Sequence, residues 1–151
     1  MSKPKEKIEN DFAPALVAAS RALVATMMPE LVRYGFNGIT PAFVSLMSLL
    51  DATGDRPTTL AQRAGITKQA IGQLIRELKA RGYVEQVPDS TDTRAKIVRL
   101  TKRGVALHAA CAEARQELQS TVIAKLGKLK VSRLRRDLME LAAVLEKIRT
   151  R

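Results

Sequence analysis

The sequence predicts a mainly α-helical chain with one small β-hairpin, and three observations predict it. Apolar residues recur at spacings of three and four near both ends of the chain, as they do on amphipathic helices. Two β-prone runs, Tyr83 to Val87 and Lys96 to Leu100, flank the turn-forming segment PDSTDTR, which is the pattern of a hairpin. Immediately before them, two helical segments meet at Gly65-Ile66, a tight turn between helices. Helix, turn, helix and hairpin in that order predict a winged helix-turn-helix lobe.

The elements follow in chain order. After a charged start, MSKPKEKIEND, the residues Phe12, Ala15, Leu16, Ala19, Leu23 and Met27 share a helical face. Pro29 is expected to break or kink that helix, because it lacks an N–H and crowds the preceding turn. A short amphipathic piece from Glu30 to Phe36 then leads into a Gly35/Asn37/Gly38 loop. Thr40 offers an N-cap with Pro41 at the first helical position, predicting a helix to about Ala52. DATGDRP reads as a turn. Thr59 with Gln62 fits a capping box opening the first helix of the lobe, Thr59 to Ala64. The second helix begins at Thr67, runs to about Arg81 and stops at Gly82. Beyond the hairpin, Thr101 caps a long helix from Lys102 to Leu126, with Leu107, Ala110, Cys111, Ala114, Leu118 and Val122 in one stripe. Gly127 ends it. A last helix, about Ser132 to Ile148, aligns Leu134, Leu138, Leu141, Ala142, Leu145 and Ile148.

This divides the chain into an N-terminal helical region at 1–38, a winged lobe at 39–101 and C-terminal helices at 102–151. The terminal helices have apolar faces and no core of their own, so they are expected to pair with a second copy of the chain.

Composition narrows the partner. The 151 residues carry 26 Lys and Arg against 15 Asp and Glu, a net charge of +11. Such an excess favours a polyanion through phosphate neutralisation and counterion release. No apolar run is expected to reach the ~20 residues of a membrane span, and the N-terminus has no signal-peptide apolar region. One cysteine excludes an intramolecular disulfide framework and fits a reducing cytoplasm. With no Trp, two Tyr and three Phe, a base-stacking platform for single strands is disfavoured. The expectation is a soluble cytoplasmic protein with no membrane role and double-stranded DNA as its partner.

Within the second helix of the lobe, Ile71, Leu74, Ile75 and Leu78 form the inward face. The opposite face presents Gln69, Gln73, Arg76 and Ala80, with Gly72 beside them and Lys68 in the leading turn. Gln pairs bidentately with adenine and Arg with guanine in the major groove. Thr67 caps the helix where exposed N–H groups suit a backbone phosphate. Gly72 costs roughly 1 kcal/mol against Ala in a helix, and either close approach to DNA or close helix packing explains it. On the wing, Arg94 stands at or near the tip with Lys96 and Arg99 on the returning strand. A cation so placed reaches the narrow, electronegative minor groove. Asp92 does not favour a phosphate; it accepts loop amides or pairs with an arginine to hold the loop. Thr59, Thr67 and Lys96 are assigned to the phosphate backbone.

These residues carry a resemblance. LAQRAGIT, the helix ending in LKARGYVE, the wing's Asp92-Thr93-Arg94 and VRLTKRG resemble the MarR family of transcriptional regulators, closely over Thr40 to Gly104 and in outline at the helical ends. The resemblance implies an obligate homodimer with interlocked terminal helices and two winged lobes on a pseudo-palindromic operator. It implies that Arg94 enters the minor groove and that Asp92 braces the wing. It also implies a small aromatic or phenolic effector where the dimer helices meet the lobe, for which Arg33, Tyr34 and Phe36 are the candidate lining, weighed against a plain amphipathic turn over the core. The family's oxidation sensors carry their cysteine near the N-terminus, unlike Cys111.

Cys111 reads as a small core hydrophobe rather than a redox switch. His108, the single histidine, reads as a polar residue on the long helix, and no Cys/His cluster suggests a metal. No phosphate-binding glycine loop, nucleophile elbow or His-based constellation is present, so neither enzymatic activity nor a cofactor is expected. The reading is a sequence-specific, DNA-binding regulator, most simply a repressor. The alternatives are a sequence-tolerant architectural DNA-coating protein and a protein–protein adaptor built on the winged lobe.

Overall fold

Among the described residues, the chain forms six helices and one two-stranded antiparallel sheet. The structure is a computed structural model describing residues 11–92 and 94–150; the opening MSKPKEKIEN and Thr93 of the wing lie outside the described residues. Helix α1 spans Ala13–Arg33. Pro29 lies inside it and does not end it, contrary to the expected break and separate Glu30 to Phe36 piece. One missing N–H removes a single rung, and the burial of Met27 and Leu31 on either side of Pro29 holds the last turn in place. A second expectation fails here too: by length and composition, α1 is apolar enough to cross a membrane. Alanine, valine, leucine and methionine fill it, and Arg21 is its only charge before Glu30.

Helix α2 spans Pro41–Leu49, with the Thr40 hydroxyl accepting from the Phe43 amide at 3.3 Å. Helix α3 spans Pro57–Ala64, two residues earlier than expected. Pro57 opens it, Arg56 is the N-cap residue and no side chain caps it. The Thr59/Gln62 capping box therefore does not form, because Thr59 already sits within the helix. Gly65, at φ 65°, closes α3, and α4 follows over Lys68–Ala80, capped by Thr67, whose hydroxyl accepts from the Ala70 amide at 3.1 Å.

Strands β1 (Val84–Pro88) and β2 (Lys96–Leu100) pair with Val84 opposite Leu100 and Pro88 opposite Lys96. The DATGDRP turn adds an unexpected rung. Asp55 and Val98 exchange both backbone hydrogen bonds at 2.9 Å. Helix α5 covers Lys102–Leu126, and α6 covers Lys128–Arg149. The last helix thus starts four residues before the expected Ser132, directly after Gly127 at φ 84°.

Contacts divide the chain into two compact units, one ending at Cys111 and one beginning at Ala112. The core of the first gathers Leu31 from α1, Phe43 and Leu46 from α2, Leu60 from α3, Ile71, Ile75 and Leu78 from α4, Val98 from β2, and Leu107 and Cys111 from α5. Spacing of three and four places each in line on its helix. Burying such side chains stabilises a fold by about 1.5–3 kcal/mol apiece. Along α5, the predicted stripe Leu107, Ala110, Cys111, Ala114, Leu118 and Val122 is buried or half-buried. In α6, no residue is fully buried, and Leu134, Leu138, Leu145 and Ile148 are exposed.

Candidate nucleic-acid interface

Helix α4 separates its two faces cleanly. Ile71, Ile75 and Leu78 are buried and Leu74 is half-buried, while Lys68, Gln69, Gln73 and Arg76 are exposed. The Gln73 amide donates to the Glu77 carboxylate at 3.2 Å, an i,i+4 contact that holds the amide on the outer face. Gly72 is half-buried, and a methyl group there would meet only the Arg76 guanidinium, at 3.5 Å. That is ordinary contact, so helix packing does not require this glycine. Of the two explanations weighed from the sequence, packing is removed.

The wing is held from inside. The Asp92 carboxylate accepts from the Arg94 amide at 3.0 Å, and the Asp92 carbonyl accepts from the Ala95 amide at 2.8 Å. These bonds fold the loop around Arg94 and leave its side chain exposed. Lys96 is exposed on β2; Arg99 pairs with Glu85 across the hairpin at 2.7 Å. Thr59, in α3, is half-buried, and Thr67 is exposed at the start of α4.

Two buried carboxylates below the wing escaped the sequence reading. Asp89, 5% exposed, accepts from the Thr91 amide and hydroxyl, each at 2.8 Å, and from Arg56 Nε at 2.7 Å. The Thr91 amide, then its hydroxyl, then Arg56 hold the Asp89 carboxyl down at about 2 from an ordinary 3.8. Asp55, 8% exposed, accepts from the Asp51 amide at 2.9 Å and from Arg63 at 3.1 Å. Arg63 also donates to the Leu49 carbonyl at 3.1 Å. Arg56 ties the start of α3 to the loop end of the hairpin, and Arg63 ties its last turn to Asp55 and to the end of α2. The only sequence signal was an arginine or aspartate in each turn; the pairing partners lie up to 33 residues away.

Helix α5 is docked to the lobe at its first turn. The Thr101 hydroxyl donates to the Gly82 carbonyl at 2.6 Å and accepts from the Gly104 amide at 3.1 Å. A methyl on Gly104 would stand 2.0 Å from the Tyr83 carbonyl oxygen. Arg103 lies over the Tyr83 ring, 4.8 Å from its centre.

Of the three candidate effector residues, Phe36 lines an apolar hollow of about 410 Å³ with Met28, Pro29, Val32, Gly38 and Ile39. Arg33 and Tyr34 are not in its lining; Arg33 pairs with Glu30 at 2.6 Å. A second hollow of about 380 Å³ opens among α2, α3 and α4, lined by Leu46, Leu49, Ala64, Ile66, Ile71 and Leu74 among others. Among the described residues, no three His, Cys, Asp or Glu side chains stand together as a metal site. Cys111 is buried in the core and His108 is exposed.

Comparison with known proteins agrees with this geometry. Residues 37–95 match the MarR family. No curated protein matches the chain. Among solved structures, transcriptional regulator Tm0710 of Thermotoga maritima is similar at 26% identity and a TM-score of 0.59, over 95% of this chain and 99% of its own. Streptococcus pneumoniae FabT in complex with DNA gives 17% identity and a TM-score of 0.74, over 89% and 95%. A cysteine mutant of Escherichia coli MarR complexed with operator DNA gives 20% identity and a TM-score of 0.72, over 90% and 99%.

Proposed function

We propose that this chain is a sequence-specific transcriptional regulator of the MarR kind, acting as a homodimer on a pseudo-palindromic operator in the cytoplasm; the match of residues 37–95 to the MarR family supports the reading. The observation that carries the reading is the two-faced α4. One face is core, and the other offers Lys68, Gln69, Gln73 and Arg76 to solvent beside an exposed wing cation, Arg94. In this reading Gln69, Gln73 and Arg76 read base edges in the major groove, and Lys68, Thr59, Thr67 and Lys96 hold phosphates. Gly72 lets the helix approach, Arg94 enters the minor groove, and Asp92 sets its position. The DNA complexes of FabT and MarR, which share the fold, support this assignment. The 1–38 and 102–151 regions supply the dimer, placing half-sites roughly 34–36 Å apart. Repression is the simplest outcome of occupying an operator. The hollow lined by Phe36 is the place for a small aromatic or phenolic effector that shifts lobe spacing. No chemistry beyond binding is assigned.

The test is fluorescence anisotropy on DNA from upstream of the protein's own gene, beside a scrambled duplex and the Arg94→Ala variant, at about 150 mM salt. A regulator binds the first duplex about 10³-fold or more tightly than the second, and Arg94→Ala weakens binding while the dimer persists. A preference below about tenfold would instead support the architectural reading.

A further inference from the structure

More than half of the chain's net charge of +11 stems from one stretch outside the winged lobe: between Glu117 and Asp137 stand Lys125, Lys128, Lys130, Arg133, Arg135 and Arg136, with no acid. All six are exposed. None of these six forms an ion pair among the described residues, and the run that holds them offers no acid to pair with. Lys128 and Lys130 occupy the first turn of α6, which holds no acid, where the helix dipole opposes cations. A solvated surface gains nothing from concentrating like charge at that end of a helix. An approaching polyanion offsets both the mutual repulsion and the dipole.

We propose that this cluster is a second binding surface for the phosphate backbone of double-stranded DNA, separate from the winged lobe. At 3.6 residues per turn, Val131, Leu134, Leu138, Leu141 and Leu145 form one stripe of α6, and Lys128, Lys130, Arg133, Arg135 and Arg136 spread over the remaining arc, with Lys130 and Arg135 at its two borders. A lipid surface would have to take the apolar stripe together with the cations, and that stripe is needed by the second copy of the chain. A dimer therefore leaves the cationic arc open. From Lys128 to Arg136 the helix rises about 12 Å, roughly the axial length of three to four phosphates on one strand. Contacts of this kind carry no base preference; they add affinity and salt dependence.

The inference rests on a DNA partner but not on operator selectivity, and the test separates the two. The full chain is compared with a Lys128→Gln/Lys130→Gln/Arg135→Gln/Arg136→Gln variant and a charge-conserving Lys128→Arg/Lys130→Arg/Arg135→Lys/Arg136→Lys variant. Binding to duplexes of about 20 and about 60 base pairs is followed over a KCl series, since about 20 pairs hold two half-sites. Each phosphate contact contributes about 0.9 to the salt slope. The neutral variant should therefore lose about 2–4 from the slope on the long duplex, keep its ratio of operator to scrambled affinity, and be rescued by charge conservation. An unchanged slope overturns the proposal, as does a loss that the charge-conserving variant shares. Loss of binding to phosphatidylserine vesicles with the DNA slope intact overturns it in favour of a membrane surface. If the full chain shows no operator preference, the regulator reading fails, while the slope comparison still decides this one.

Discussion

Asp89 and Gly72 are single residues whose surroundings make separate, measurable predictions. Asp89 is held at about 2, against an ordinary 3.8, by Thr91 and Arg56. A depressed carboxylate contributes stability that is present above its unfolded pKa and lost as pH falls through its folded one. Wild-type stability should therefore fall more steeply than that of Asp89→Asn between about pH 4 and pH 2. Urea unfolding at stepped pH measures the difference, and parallel profiles would remove Asp89 from the wing's support. At Gly72 a methyl group meets only Arg76. Gly72→Ala should stabilise α4 by about 1 kcal/mol yet weaken DNA binding if the helix approaches closely. A raised melting temperature with undiminished affinity would mean that no close approach occurs.

Elements are decided by how they end and what they dock on. Helix α5 begins where Thr101 bridges the Gly82 carbonyl and the Gly104 amide, and Gly104 lies against the Tyr83 carbonyl. Gly104→Ala forces that contact apart and should cost about 1–3 kcal/mol, as overpacking does; denaturant titration checks it, and an unchanged midpoint would show that the turn yields freely. The same scale explains where sequence reasoning failed. Pro29 was expected to break or kink a helix that Leu31 and Met27 carry through without a break. Thr59 fitted a capping box, but Pro57 opens α3 two residues earlier. In each case a local signal competed with burial or with an earlier helix start. At Thr40, Thr67 and Thr101 the capping hydroxyls form as the sequence predicts, because nothing competes with them.

Over the whole molecule, apolar surface is left over. Leu16, Val17 and Leu23 of α1 and Leu134, Leu138 and Leu145 of α6 are exposed in the single chain. Scattered exposed leucines are ordinary, whereas apolar rows along whole helices mark association. In the dimer reading, Leu138→Glu should raise the dimer dissociation constant at least tenfold, since it places a charge in an apolar interface. Sedimentation equilibrium measures it. Operator affinity should fall in step, because two linked lobes bind with an avidity that single lobes lack; a fully dimeric variant would move the interface away from this stripe.

By itself the sequence determined the order of elements, the inward face of α4, its exposed Gln and Arg positions, and the hairpin that follows, since periodicity, caps and turn residues are local. The acid-free run at 118–136 is also written in the sequence, although it drew notice only once its six cations were found exposed. Only the tertiary structure decided that Asp55 and Asp89 anchor the wing through Arg63 and Arg56, that Gly104 is crowded while Gly72 is not, and that α1 runs through Pro29. Those outcomes depend on groups brought together from far along the chain, and neither residue spacing nor composition specifies which distant partner a buried charge or a bare backbone will meet.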